Sequence, residues 1–196
     1  MTEAPLPARQ TSIIDELGAA ARGCLALILG DRKAPDYFDF SRRGLYGSFI
    51  ALLVAQLIGA FGPVLFGAKI VPGGVTQAFA TVAILFVAQV GFSAIVLRQL
   101  GRLDGLVPYL VADNWATFFL TIFTALLGGV GVGDIELILV GILILVIEIN
   151  IARLIVTLSA LQIAMFLIAQ LVGVSIALIL IGLIFPGEAA ALTQAQ

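Results

Sequence analysis

From Leu45 onward the chain is a succession of apolar runs, at about 45–66, 76–97, 108–127, 135–156 and 160–185. Each is close to the roughly 20 residues that a helix needs to cross the hydrocarbon core of a bilayer. Lipid offers backbone amides and carbonyls no partner, so runs of this kind are helices whose hydrogen bonds close internally. The runs predict an all-α, polytopic integral membrane protein with five transmembrane helices. Only 11% of the residues are charged and 61% are hydrophobic, against about 25% charged in soluble domains. Too few charges remain to coat a water-facing globule.

Breakers separate the runs. Pro72, Gly73 and Gly74 fall between the first two; Gly101, Asp104 and Gly105 precede Pro108; Gly128, Gly129, Gly131 and Gly133 end the third; Pro186 and Gly187 close the last. Pro63, near the end of the first run, can stop or kink its final turn. Residues 137–185 form one nearly unbroken apolar stretch, too long for an ordinary crossing, so it must fold back on itself. Ser159 followed by Gln162 has capping-box spacing, which places the turn at about 157–159.

Charge divides the chain into three parts: a head at 1–44, a membrane domain at 45–185 and a tail at 186–196. The head holds six basic and six acidic residues. Arg98 and Arg102 follow the second run and Arg153 the fourth, whereas Lys69 stands alone on the opposite side. This asymmetry predicts a cytoplasmic N-terminus and an external C-terminus in a bacterial inner membrane. Residues 1–12 are polar and contain Pro5 and Pro7, so no cleavable signal peptide is expected and the first span serves as an uncleaved anchor. The bases and aromatics between Asp31 and Arg43 suit the headgroup level.

Within the head, residues 12–29 read as a capped helix, with Ser12 three residues before Asp15. Ile13, Leu17, Ala20, Cys24 and Leu27 fall along one helical direction. The stripe predicts either an amphipathic helix lying on the cytoplasmic interface, docking a partner or lipid, or a helix packed under its own membrane body. On the first span Gly47, Ala51, Ala55 and Gly59 make a small-residue ridge at i+4 spacing, a surface for close helix approach. Its neighbour is another helix of the same chain or a second copy.

The sequence contains no histidine, and Cys24 is its single cysteine. A disulfide framework, Cys/His zinc sites, bis-histidine haem and imidazole-based nucleophilic catalysis are therefore excluded. A formal charge of −2 offers no basic field for nucleic acid. No cofactor and no metal centre is expected. The glycines at 128–133 followed by Asp134 lack the preceding strand and the Lys-Ser/Thr pair of a phosphate cradle and read as an external turn.

The sharpest polar feature lies inside the runs. Asp113, Asn114, Thr117, Thr121 and Thr124 mark the third span, Glu148 and Asn150 the fourth, and Arg153 follows closely. At about 1.5 Å per residue, Asp113 is roughly 8 Å inward from Pro108 and Glu148 roughly 12 Å inward from the end of its span. Acids at such depth normally face the bundle interior, pair, take a proton or line water. One reading is a proton or cation site with Asn and Thr oxygens as neutral ligands. The other is a buried cluster neutralised by Arg153, or by Arg98 and Arg102, with threonines bonding back to their own helix. Gln56, Gln89, Gln162 and Gln170 are read as interhelical hydrogen-bonding groups.

The layout resembles the Yip family of five-span membrane proteins, bacterial members in particular. The likeness rests on the amphipathic head, on Pro35-Asp36-Tyr37-Phe38 leading through Arg42-Arg43-Gly44 into the first span, and on the closely joined last two spans. It implies a helical membrane protein without an established catalytic centre, with roles in membrane organisation or protein partnering. The leading expectation is a non-enzymatic inner-membrane scaffold or accessory subunit whose partners are the bilayer and another membrane protein, or a second copy. The alternative is a small proton- or cation-coupled permease built around the intramembrane carboxylates. An intramembrane enzyme is third, since the acids lack a partner motif.

Overall fold

The computed structural model describes residues 13–65, 74–128 and 134–185. Among them are six long helices and no strand: α1 (Ile13–Leu29), α2 (Arg42–Leu65), α3 (Gly74–Gln99), α4 (Leu106–Gly128), α5 (Asp134–Asn150) and α6 (Ala160–Ile184). The last five are each long and apolar enough to cross a membrane. α2 ends two residues after Pro63. Lys69, the glycines at 129–133 and the tail at 186–196 lie outside the described residues, as does Ser12.

Two helices end in the same way. Gly30 and Gly101 have φ of 68° and 69°, a conformation glycine adopts without a Cβ penalty. Around them Asp31 N–H reaches Ala26 O at 2.8 Å and Arg102 N–H reaches Leu97 O at 2.7 Å, closing Schellman-type caps.

The hairpin between the last two spans is built differently. α5 continues as a π-helical turn, Ile151–Ile155, and the chain reverses through Thr157, whose φ is +59°. A β-branched residue is strained there, and Arg102 holds it. The guanidinium donates to Thr157 O (2.9 Å), to Thr157 Oγ1 (2.6 Å) and to the carbonyl of Val156, satisfying carbonyls the helix end leaves open. Gly105 lets this turn close: a Cβ there would lie 2.5 Å from a Val156 methyl. α6 then starts with Gln162 Oε1 accepting the Ser159 amide at 2.9 Å, as the capping-box spacing predicts.

Packing follows two main pairs, α2 on α4 and α3 on α6, with α1 laid against α4 and α5. Gly173 of α6 faces Phe92 of α3, whose ring atoms would stand 2.7 Å from an added Cβ. The head joins the same core, because Leu27, Ala34 and Phe38 are buried in one cluster with Leu97, Tyr109, Ile151 and Phe166. This core sits at the end of the bundle marked by Arg102. Towards Thr124 and Val140 the described side chains of α4 and α5 are half-buried or exposed. The bundle is tight at one end and parted at the other.

Candidate functional site

A cavity of about 290 Å³ lies between α3, α4 and α5. Gln89 lines it from α3, Asp113, Thr117, Thr121 and Thr124 from α4, and Glu148 with Val140, Ile144 and Ile147 from α5. The α4 spacing of 113, 117, 121 and 124 keeps these side chains on one helix face, and the side chains that complete the wall come from α3 and α5.

Asp113 and Glu148 face each other closely enough to share a hydrogen bond, and the Tyr109 hydroxyl lies near Glu148. Two carboxyl oxygens can be joined in this way only through a proton held between them. Gln89 Nε2 donates to Asp113 Oδ2 at 2.9 Å and to the Tyr109 hydroxyl at 3.1 Å. From α6, Gln170 Nε2 donates to the same hydroxyl at 2.8 Å and to Ser93 Oγ at 2.6 Å, while Ser93 donates to Gln89 O at 2.6 Å. Glu148 Oε2 is buried with no partner. It is an acceptor beside the cavity, complementary to a cation or a donor-bearing ligand.

The described arginines do not neutralise the pair. Arg98 and Arg153 are exposed, and Arg102 is spent on Val156, Thr157 and an ion pair with Asp104 at 3.6 Å. Expecting Arg153 beside the acids is therefore corrected: it lies on the π turn beyond α5, with its side chain outward.

Two further residues of the expected site also turn away. Asn114 follows Asp113 by about 100° of helical rotation and faces α2, donating to Ser48 Oγ at 3.1 Å. Asn150 lies about 200° from Glu148 and donates to Leu27 O of α1 at 2.8 Å. The threonines do bond back: Thr121 to Thr117 O at 2.8 Å and Thr124 to Thr121 O at 2.9 Å. With their protons committed to the helix, their oxygens can only accept from the cavity.

Sequence reasoning missed Tyr109 and Ser93. The signal was available, since Tyr109 precedes Asp113 and Ser93 follows Gln89 by four residues, one turn along the same face.

In the ridge on α2, Ala51 and Ala55 are buried within the bundle, Gly47 is half-buried and Gly59 is exposed. An added Cβ at Gly47 would lie against Glu16 Oε1 of α1. Along α1, Leu27 and Cys24 are buried and Leu17 packs on the core, but Ile13 is 82% exposed. Burial pushes the Cys24 thiol up to about 12, leaving it protonated and inert. Beyond Ala116, Leu120 and Ile147, which also wall the polar cavity, an apolar cleft of about 370 Å³ runs under α1.

Comparison of the chain with family models, with curated proteins and with solved structures returns no match.

Proposed function

We propose that this protein moves a proton or a small cation across the membrane, with Asp113 and Glu148 as the exchanging pair. The observation that carries this reading is a carboxyl pair bordering a cavity at membrane depth with no base among the described residues bonded to it. An acid pair without a base is costly to keep in a bundle for stability alone, and such residues are characteristic of ion and proton pathways. The Lys and Arg asymmetry supports a bacterial inner membrane with the N-terminus and the Arg102 end in the cytoplasm. No catalytic step is assigned to the chain.

Purified protein in liposomes tests the proposal. Under an imposed proton, Na⁺ or K⁺ gradient, the wild type should dissipate at least one gradient, and folded Asp113→Asn and Glu148→Gln variants should dissipate none. Wild-type vesicles that stay tight to all three ions would reject transport.

One observation favours the second reading, a scaffold or accessory subunit of the kind the Yip-like layout implies. Ile13 and Ile14, at the start of a helix anchored to the bundle, are 82% and 79% exposed. Such a pair suits a protein partner or lipid. A stoichiometric partner on mild purification, lost on Ile13→Ser/Ile14→Ser substitution, would establish that role.

A further inference from the structure

We infer that in this conformation the Asp113–Glu148 pair is reached only from the Thr124 end, and that the Tyr109 side chain is the barrier towards the Arg102 end. The inference deepens the transport reading and rests on it. Tyr109 lies one turn, about 6 Å along α4, from Asp113 on the Arg102 side. It is fully buried. Its hydroxyl accepts from Gln89 of α3 and Gln170 of α6, so three helices meet at one oxygen. Glu148 lies near the same hydroxyl. Phe166 of α6 stands edge-on to the tyrosine ring at 5.1 Å and 81°, fixing its plane.

The two sides of this residue differ in chemistry. Towards Arg102 the interior is filled by Leu97, Ile151, Ala152 and Val156, all 0% exposed and all apolar. These side chains offer water or an ion no ligand. Towards the other end Thr117, Thr121 and Thr124 continue the cavity, offering acceptor oxygens over about 16 Å between Asp113 and Thr124. Access from the Arg102 side requires this packing to open and the tyrosine to leave, and the tyrosine's bonds to Gln89 and Gln170 would then break together. Because Gln89 donates both to the tyrosine and to Asp113, the occupant of the pair is coupled to the barrier through one side chain.

The test is side-specific labelling of Thr121→Cys in a Cys24→Ala background, with a membrane-impermeant maleimide applied to oriented vesicles. The expected result is labelling from the Thr124 side and none from the Arg102 side. Adding Tyr109→Ala to a Leu97→Ala background should produce labelling from the Arg102 side, whereas Leu97→Ala alone, or with Tyr109→Phe, which keeps the ring, should not. Labelling from the Arg102 side with Tyr109 intact, or no gain with Tyr109→Ala, overturns the inference. Should Tyr109→Ala fail to insert, Ser93→Cys decides: this near-isosteric change sits within the barrier and should resist the reagent from both sides, and labelling from the Arg102 side overturns the proposal. Labelling reads access and not flux. Tight liposomes with the expected labelling would reject transport alone; ion flux with labelling from the Arg102 side would reject the barrier alone.

Discussion

The side chain of Asn150, at the end of α5, donates to the main-chain carbonyl of Leu27 in α1 at 2.8 Å, joining residues 123 positions apart. Both partners are buried. The bond gives a carbonyl in the last turn of α1, which already accepts from the Gly30 amide at 3.1 Å, a second donor from α5, and it makes the N-terminal helix part of the bundle. Replacing Asn150 by Leu should cost about 0.5–1.5 kcal/mol, the usual net worth of one hydrogen bond, since Leu27 O keeps the Gly30 amide. The accompanying readout is Cys24, unreactive in the native protein and expected to react faster with maleimide once α1 loosens. Unchanged stability and unchanged labelling would show that packing alone holds the helix.

Asp113→Asn combined with Glu148→Gln should leave the protein folded and no less stable. A broken buried ion pair would cost about 3–5 kcal/mol, but among the described residues no base is bonded to either acid, so none of them is stranded. Thermal unfolding in detergent checks this directly. A large fall in midpoint would mean that the acids are structural.

Gly173→Val should destabilise the α3–α6 pair by about 1–3 kcal/mol through overpacking, since even a Cβ at this site would lie 2.7 Å from the Phe92 ring. Adding Phe92→Ala should recover part of the loss by making room. The thermal midpoints of the single and double variants measure both effects.

Glu16 should make α1 docking pH-dependent. Burial raises its pKa above the ordinary 4.5, Arg43 pulls it back, and Asp39 pushes it up again. A carboxyl with a raised folded-state pKa binds its proton more tightly when folded. Its contribution is therefore fully present below the ordinary value and is lost as pH rises through the raised one. Stability measured against pH should show this decline in the wild type and a smaller one in Glu16→Gln.

Compartment-sensitive reporters fused after Leu100, Gly133 and Gln196 should read cytoplasmic, external and external. The expectation comes from the basic residues of the head, Arg98, Arg102 and Arg153 set against Lys69. A cytoplasmic reading after Gln196 would remove the hairpin between α5 and α6 as a crossing pair.

The spans could be read from the sequence because bilayer thickness and backbone hydrogen bonding act locally: a run of about 20 apolar residues has few alternatives to a helix. The Ser159 turn and the helix-ending Gly101 were legible for the same reason, being local rules of capping and backbone conformation. The Asp113 stripe was legible as a face, since helical periodicity orders Thr117, Thr121 and Thr124 above it. What that face meets was not, because pairing of helices is a choice among many surfaces of nearly equal apolarity, and lipid is as apolar as the helices themselves. Only the tertiary arrangement brought Glu148 to Asp113, turned Asn114 to α2 and Asn150 to α1, and committed Arg102 to the Thr157 turn. It also placed Tyr109 between Gln89 and Gln170, residues 20 positions before and 61 after it, where no local rule could have joined them.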